Sequence, residues 1–453
     1  MIKNSFVSSL SPTKNSKEQD SLILSKIITR APVAPPSRGG SLKAKLDFID
    51  IDVQKHLKFL INRVEAVRAE EALVKYIDYY IEKGMVAIDT ETTGLDPLKD
   101  EVIGASMYAP GSLGIYIPYR HISYVTGSPL NNQISIEFMS KQFQRLKDAN
   151  VKIIMHNAKF DKRFIRSNFG VDLDIYWDTM LCAKVLNNTE RASLKEQYAL
   201  HLLGQHKTYD FEKLFKGVDF KNVPVKTATP YAAGDAIETF ELYQYQVPII
   251  KAQPGLWNVF WNIEMRVLPA VAHMEDTGIC FDNEFAKELS VKYHKLHDDA
   301  EKRVYQEVKK YSDKIYEYSA KHPGKLSDPV NVASPTQLAI LLYDILNVGV
   351  IDKKQPRGTG VNILEQLPNL PLAKLILDLR KIDKLISTYI DKLPQVVNPK
   401  DKRVHCSYNQ IGADTGRFSS QDPNLQNIPS HNKEIRKMFV ARPGYILLSC
   451  DYS

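Results

Sequence analysis

The 453-residue sequence is poor in several features that define large protein classes. Its four cysteines, Cys182, Cys280, Cys406 and Cys450, are far apart and form no CxxC pair. Their spacing excludes a disulfide scaffold and a zinc knuckle and favours reduced thiols in the cytoplasm. No apolar run approaches the roughly 18–20 residues that a membrane span needs. Internal repeats and a GxxxxGK(S/T) phosphate loop are also absent, so an ordinary nucleotide-triphosphatase is excluded.

Positive charge is concentrated at the amino terminus. The net charge is +7, yet residues 1–45 alone hold eight Lys/Arg and only two Asp/Glu. Ser, Pro and Lys dominate this segment, so we predict a disordered basic leader over residues 1–45. A targeting role, or docking through a short helix at residues 22–28, are the alternatives for this leader. Net charge is therefore a weak indicator of a nucleic-acid partner.

After the leader, the hydrophobic pattern alternates between helix and strand. Residues 53–82 have helical periodicity. Apolar runs typical of strands follow at residues 85–88, 101–107, 115–118 and 151–155. Strands in a meander, followed by strand–helix alternation, predict an α/β domain with a mixed sheet.

The second half of the chain has a different pattern. It is mostly helical as far as residue 395, with two long amphipathic segments near residues 284–318 and 371–392. The last 50 residues turn to strand and loop character. This change of pattern predicts at least one further domain after a boundary near residue 255.

Two carboxylates stand at the end of the strand predicted at residues 85–88. Asp89 and Glu91 are at positions i and i+2, so on a strand their side chains lie on one face. Adjacent carboxylates repel each other unless a divalent cation lies between them. Alone, the pair is equally compatible with a solvated strand end before Gly94.

Two later segments carry similar chemistry. Asn157 is suited to begin a helix, and Asp161 lies one turn into that helix, where an acidic residue is favourable in any case. Tyr231 and Asp235 are at positions i and i+4 and share one helical face. The Ala-Ala-Gly sequence between them lets that helix approach another backbone closely. Alone, this pair is also typical of a helix surface.

Taken together, the segments supply four carboxylates, Asp89, Glu91, Asp161 and Asp235. These are the oxygen ligands that two hard divalent ions, Mg²⁺ or Mn²⁺, need. Two such ions ~3.5–4 Å apart can bind the attacking and leaving oxygens of a phosphodiester. The phenol of Tyr231, with an ordinary pKa of ~10, is suited to orienting water rather than to acting as a strong base.

The order DxE, NxxxD and YxxxD resembles the DEDD superfamily of 3′–5′ exonucleases, in its tyrosine-bearing branch, over residues 80–245. The resemblance implies a sheet of ribonuclease H type, with the four carboxylates as metal ligands and Tyr231 beside the attacking water. It further implies that Leu95, Asn157 and Phe160 contact the single-stranded 3′ end of DNA.

The remainder of the chain resembles the family A, bacterial polymerase I-like, DNA polymerases. The matching segments are residues 262–269, 274–279, 331–338, 384–394, 415–420 and 422–429. The last two segments are the most specific. Their sequences are Thr-Gly-Arg-Phe-Ser-Ser and Asp-Pro-Asn-Leu-Gln-Asn-Ile-Pro. The resemblance implies a helical thumb and a palm that bind primer-template DNA.

The residues expected to contact that DNA are Arg380, Lys384, Arg417, Asn424, Gln426 and Asn427. The first two lie one helical turn apart and suit phosphate contacts, which position a duplex without reading its sequence. The guanidinium and amide groups of the others suit minor-groove acceptors that every base pair presents. From the residues alone, a solvated helix face and ordinary turn chemistry stay open for these positions.

Residues 446–453 are predicted to form an apolar strand. They resemble the first polymerase motif of family A, which implies that Asp451 is a metal ligand. The second carboxylate and the cationic helix of that family lie further towards the carboxyl terminus. We therefore interpret the chain as the N-terminal part of a split or truncated family A polymerase, with a phage as a candidate source.

On this interpretation a separate C-terminal chain supplies the fingers and the rest of the palm. The alternatives are a stand-alone exonuclease and a non-catalytic DNA-binding fragment. The expected location is the cytoplasm of a bacterium or of a phage-infected cell, without membrane association.

The predicted fold class is α/β, with a mixed-sheet exonuclease domain followed by a mostly helical thumb and an incomplete α+β palm. The predicted divisions are leader 1–45, exonuclease domain 46–255, start of palm 256–283, thumb 284–400 and partial palm 401–453.

Overall fold

The computed structural model describes residues 41–204, 211–413 and 415–451. The chain divides into two compact units, one extending to Ala272 and one beginning at His273. The predicted leader lies outside the described residues except for residues 41–45, where the first helix begins. The predicted domain divisions stay predictions.

The first unit combines helices with one sheet. Its helices are α1 (Leu42–His56), α2 (Lys58–Ile61), α3 (Glu70–Lys83), α4 (Ile136–Asp148), α5 (Ala158–Phe169), α6 (Thr179–Leu186), α7 (Leu194–His201), α8 (Phe211–Leu214), α9 (Val225–Lys251), α10 (Pro254–Asn258) and α11 (Met265–Thr277), which contains the division. A 3₁₀ turn lies at Phe220–Asn222 and a π-helix at Val259–Glu264. The strands are β1 (Val64–Ala66), β2 (Met85–Thr92), β3 (Val102–Tyr108), β4 (Gly114–Pro118), β5 (Lys152–Met155) and β6 (Ile175–Asp178).

The sheet of the first unit is mixed, as predicted, with strand order β1-β4-β3-β2-β5-β6. β2, β3 and β4 form the antiparallel meander, while β5 pairs in parallel with both β2 and β6. The long helix α9 packs against strands β1 to β4. Its small and apolar residues lie in one core cluster with side chains of α1 and α2. β2 and α9 are thus both central elements of this unit.

The helical prediction for residues 53–82 is wrong in its middle. There the chain forms β1, which pairs in parallel with β4, placing Glu65 beside Ile115. The periodicity of a short segment cannot predict hydrogen bonds to a distant strand, and here those bonds override the helix propensity of the segment.

The second unit is mostly helical. Its helices are α12 (Asn283–Lys309), α13 (Ser312–Lys321), α14 (Pro335–Ala339), α15 (Val361–Leu364), α16 (Pro371–Leu385) and α17 (Lys433–Arg436), with π-helices at Ile340–Ile345 and Ile386–Ile390 and a 3₁₀ turn at Leu393–Val396. The strands are β7 (Ile279–Phe281), β8 (Arg403–Val404), β9 (Ser407–Asn409), β10 (Ser419–Gln421) and β11 (Phe439–Val440). β7 lies between β11 and β8, and β9 pairs with β10.

Helices α12 and α16 pack against each other, which confirms helices in the two predicted amphipathic segments. The first segment is divided, however, because α12 ends at Lys309 and α13 begins at Ser312. The apolar strand predicted at residues 446–453 is wrong over residues 446–451, the part that the structure describes, because these residues have no regular structure. Ile446 and Leu448 are 84% and 81% exposed. A strand needs a hydrogen-bonded neighbour, and no strand of the described ranges pairs with this segment. Within those ranges, no helix is both long and apolar enough to cross a bilayer.

Candidate active site

Strand β2 places Asp89 and Glu91 on the same face of the sheet, as the alternation of a strand requires. Asp89 lies opposite Ser106 of β3, and Glu91 lies opposite Gly104. The regular pairing shifts directly after Glu91, at Thr92. The end of β2 therefore presents both carboxylates where the ladder becomes irregular, a position at which side chains are often re-aimed towards a site.

Thr90, between these two residues, holds Asp161. Its backbone N–H donates to Asp161 Oδ1 at 2.9 Å, and its hydroxyl donates to the same oxygen at 2.6 Å. Asp161 lies in the first turn of α5 and is buried. These two hydrogen bonds fasten α5 to β2 and fix the third predicted carboxylate near the first two.

Helix α9 contributes Tyr231 and Asp235, and it packs closely against the sheet. A Cβ on Gly114 of β4 would lie 3.0 Å from the Ala233 carbonyl oxygen, and one on Gly234 would lie 2.5 Å from Leu60 Cδ1. The small Ala-Ala-Gly sequence thus permits the close approach that was predicted. The Tyr231 ring packs edge-on against Phe215, with centroids 5.2 Å apart.

Three of the predicted carboxylates form one group. Asp89, Glu91 and Asp235 each offer an oxygen within 4.8 Å of the others. Glu91 Oε1 is buried and has no hydrogen-bond partner. An orphaned buried carboxylate oxygen beside two other carboxylates fits a hard divalent cation, which binds oxygen ligands. Asp161 stands outside this group of three.

Burial and mutual repulsion raise the pKa values of these carboxyl groups. Burial, the charge of Asp235 and that of Asp161 raise the pKa of Glu91 to about 8 against the pull of Lys195. Burial, followed by Asp161 and Asp235, raises the pKa of Asp89 well above its usual range. Burial also raises the pKa of Asp161 to about 7, although the Thr90 hydrogen bonds oppose the change. The site is therefore short of positive charge, and a bound cation would relieve it.

Sequence reasoning missed two charged residues of this site. Lys195 of α7 donates to Asp235 Oδ1 and, at 2.9 Å, to Glu238 Oε2. Burial would lower the pKa of Lys195, but Asp235 and Glu238 raise it above its ordinary value. Glu238 follows Asp235 by three residues on α9, so this i, i+3 spacing was a usable signal. No local pattern pointed to Lys195.

Asp178 has a structural place beside the site. Its carboxylate accepts the backbone N–H groups of Met180 and Leu181 at the start of α6, at 2.8 and 3.1 Å. It also accepts those of Asn157 and Ala158 at the start of α5, at 3.1 and 2.8 Å. One carboxylate therefore caps both helices, and α5 carries Asp161.

The predicted DNA contacts of the first unit lie near the ends of these elements. Leu95 follows β2 and is 84% exposed. Phe160 is half-buried in the first turn of α5 and packs against Phe164 with ring centroids 4.7 Å apart. Asn157 is the residue before α5, as predicted, with a left-handed backbone and no capping bond from its side chain.

The predicted site residues of the second unit are mostly exposed. Those with exposed side chains are Lys384, Arg417, Asn424, Gln426, Asn427 and Asp451. Arg380 is half-buried and donates to the Thr359 carbonyl oxygen at 2.5 Å. Asn424 Oδ1 accepts the backbone N–H groups of Gln426 and Asn427 at 3.1 and 3.2 Å. Asn424 therefore shapes this turn as well as being available to a ligand.

Comparison with known proteins agrees with this geometry. The family model described as 3′-5′ exonuclease matches residues 64–251, and that described as DNA polymerase family A matches residues 294–453. The fold and site of the first unit thus define a domain of the 3′–5′ exonuclease class. The chain thus carries this exonuclease domain together with part of a DNA polymerase domain of family A.

Individual relatives show the same correspondence. DNA polymerase I of Chloroflexus aurantiacus is 33% identical over 86% of this chain, and that of Pseudomonas aeruginosa is 34% identical over 82%. The chain spans only 40% of the length of either relative. A solved structure, the POL domain of Pol1 from M. smegmatis in complex with DNA primer-template and dNTP, matches with a TM-score of 0.64 at 20% identity. That match covers 84% of this chain and 59% of the other, and it shows a shared fold.

Proposed function

We propose that the first unit is a 3′–5′ exonuclease that depends on two divalent metal ions, Mg²⁺ or Mn²⁺, and removes terminal nucleotides from DNA. The observation that carries this proposal is the group of Asp89, Glu91 and Asp235, of which the last two are buried and Asp89 is half-buried, with an orphaned Glu91 oxygen. The relatives named DNA polymerase I support DNA as the substrate, and the presence of exonuclease and polymerase matches in one chain supports proofreading as the role.

The carboxylates have separate tasks in this proposal. Asp89, Glu91 and Asp235 hold the metal ions together with Asp161, whose orientation Thr90 fixes. When bound, the ions supply Lewis-acid activation of water and stabilise the negative charge that develops on the phosphate. Because Asp161 is already held by two hydrogen bonds, little of its freedom remains to be lost on metal binding.

Tyr231 orients the attacking water. Burial, followed by the charges of Asp235 and Glu91, raises the pKa of its phenol well above the ordinary value. The hydroxyl therefore stays protonated at neutral pH and donates a hydrogen bond rather than taking a proton. Packing against Phe215 keeps the ring in place.

DNA would be bound by both units in this proposal. Leu95 and Phe160, with Asn157, contact the single-stranded 3′ end in the exonuclease site. Lys384 and Arg380 contact phosphates of the primer-template duplex, while Arg417, Asn424, Gln426 and Asn427 contact its minor groove. The solved structure with a similar fold is in complex with DNA primer-template, which supports DNA binding by this chain but names no contact residue.

Three finer predictions concern the polymerase reaction and the cell. They are the metal-binding role of Asp451, the separate C-terminal chain and the cytoplasmic location. Mixing this chain with such a partner should restore dNTP incorporation, and Asp451→Ala should abolish it. Incorporation that survives this substitution would contradict the role of Asp451.

The exonuclease proposal is tested by digestion of a 5′-labelled single strand in Mg²⁺. The wild-type chain should produce a ladder of shortened products, and Asp89→Asn with Glu91→Gln should lower the rate by at least about a thousandfold. Glu137→Gln, at an exposed position of α4, is the control and should leave the rate unchanged. Equal rates for the wild-type chain and the double variant would contradict the proposal.

A further inference from the structure

Helix α7 is bound to α9 by a row of polar contacts. On α7 the contacting residues are Lys195, Tyr198 and His201, at positions i, i+3 and i+6. Tyr198 donates to Glu241 Oε2 at 2.5 Å, and His201 lies against Tyr245 with its Nδ1 3.2 Å from the phenol oxygen. Helix α7 therefore has a defined register on α9, and this register carries the Lys195 ammonium into the carboxylate site.

The Lys195 ammonium lies against three residues on one face of α9, spaced three or four positions apart. It bonds Asp235 and Glu238, and it lies 4.8 Å from the centre of the Tyr231 ring. The side chain of Lys195 is only 11% exposed, and that of Glu238 only 3%. A buried ammonium with two buried carboxylates is a strong, specific pairing, because each partner would be costly to leave uncompensated.

Asp235 therefore has two competing uses. It belongs to the three-carboxylate group suited to a divalent cation, yet the Lys195 ammonium already occupies its Oδ1. A divalent cation bound by Asp235 would lie close to the ammonium, and like charges at that distance repel strongly in a buried site. Binding of a metal ion at Asp235 thus requires the Lys195 ammonium either to move away from the Asp235 carboxylate or to share that carboxylate with the ion.

Glu238 offers the ammonium an alternative partner. Its carboxylate bonds Lys195 at 2.9 Å and lies outside the three-carboxylate group. Lys195 can therefore keep one buried partner while Asp235 turns to a metal ion. The structure shows Lys195 bonded to both carboxylates between which such an exchange would take place.

We propose that Lys195 is a resident cation that neutralises Asp235 in the metal-free site and moves to Glu238 alone when a divalent metal binds, so that the Lys195–Glu238 pair sets the metal affinity. This inference rests on the function proposed above. It makes Lys195 a positioning residue that acts through Asp235.

The test measures Mn²⁺ binding by calorimetry on the full chain, without DNA, for the wild-type protein, Lys195→Met and Glu238→Gln. Loss of Lys195 removes the competitor, so binding should tighten by about tenfold, the value of one charge-assisted hydrogen bond. Loss of the Glu238 charge leaves Lys195 with Asp235 as its only anionic partner, so binding should weaken by a similar factor. The double variant should resemble Lys195→Met.

A purely structural role predicts a different result. If Lys195 only anchors α7, both single variants should weaken metal binding, and that outcome would overturn the proposal. Lys195→Arg, which keeps the charge, should bind Mn²⁺ within a few-fold of the wild-type protein. Thermal unfolding without metal checks the fold of each variant. Should Lys195→Met fail to fold, unchanged affinity in Glu238→Gln would by itself overturn the proposal.

The outcome also separates this inference from the proposed function. A wild-type chain that binds no Mn²⁺ would contradict the metal-dependent exonuclease itself. A wild-type chain that binds Mn²⁺, with Lys195→Met binding equally or more weakly, would contradict only the role of Lys195.

Discussion

In the proposed metal site, Asp161 and Glu91 are held in two different ways. Asp161 accepts two hydrogen bonds from Thr90, at 2.9 and 2.6 Å, and is held in one orientation. Glu91 keeps one buried oxygen without a partner, so its charged form is costly until a cation arrives. Asp161 is thus held in a fixed orientation, whereas Glu91 has an oxygen whose negative charge no hydrogen bond stabilises.

Thr90 should accordingly matter through its hydroxyl. Thr90→Val removes the 2.6 Å hydrogen bond to Asp161 and should lower Mn²⁺ affinity or exonuclease rate by roughly 10- to 100-fold, the usual effect of losing a partner of a metal ligand. Thr90→Ser keeps the donor and is the matched control. Calorimetry and primer digestion measure the two quantities. Identical values for the Val and Ser variants would show that the hydroxyl does not position Asp161.

His121 gives the first unit a dependence on acid pH. Its ring bonds the Tyr116 hydroxyl at 2.7 Å and the Val223 carbonyl oxygen at 3.0 Å. Burial lowers its pKa to about 4, although the hydrogen bond that the ring donates to the Val223 carbonyl oxygen raises it. Because the folded pKa is lowered, the neutral form stabilises the fold above pH 6.5, and this stability is lost as the pH falls towards 4.

The variant His121→Gln isolates this effect. The unfolding free energy of the wild-type chain should fall by up to about 3 kcal/mol more than that of the variant between pH 7 and 4. Urea unfolding at a series of pH values, followed by circular dichroism, measures the difference. Parallel pH profiles for the two proteins would contradict a buried neutral His121.

At the scale of elements, Asp178 joins two helices to the edge of the sheet. It accepts backbone N–H groups at the start of both α5 and α6. Asp178→Ala should therefore destabilise the first unit by about 2–4 kcal/mol and slow the exonuclease, since α5 carries Asp161. Thermal unfolding and primer digestion measure both effects.

Ser135 provides the control for this prediction. It caps α4, where its hydroxyl accepts the Phe138 N–H at 3.1 Å, and α4 carries none of the predicted site residues. Ser135→Ala should cost about 1 kcal/mol and leave the exonuclease rate unchanged. A rate unaffected by Asp178→Ala would show that the start of α5 does not depend on this carboxylate.

The sequence predicted some secondary-structure elements and missed others. Local pattern predicted the mixed sheet and the amphipathic segments that form α12 and α16, because each depends on periodicity. The carboxylates that meet in the site are distant in sequence, and only the combination of DxE, NxxxD and YxxxD, with the resemblance that it carries, indicated them together. Local pattern missed β1 and the lack of a strand at residues 446–451, since strand pairing depends on distant partners. Lys195 and Asp235 are 40 residues apart, so their contact had no local signature.

For the whole molecule, we predict that the second unit adds duplex affinity through phosphate contacts. Lys384 is exposed on α16, and Lys384→Ala should weaken binding to a primer-template of any sequence and reduce the salt slope of log K by about 1. Lys374→Ala, an exposed lysine on the same helix that is not predicted to contact DNA, is the control. Fluorescence anisotropy at several salt concentrations measures the slope. Equal slopes for both variants would contradict the assignment of Lys384.

The proposed exonuclease requires that the carboxylates of β2, α5 and α9 form a divalent-metal site. Anomalous diffraction from crystals soaked in Mn²⁺ would locate the ions there. We expect manganese peaks bound by Asp89, Glu91 and Asp235, with Asp161 beside them, and no such peaks in crystals of Asp89→Asn with Glu91→Gln. Manganese that is absent from this group in the wild-type protein, or that persists there in the double variant, would contradict the account.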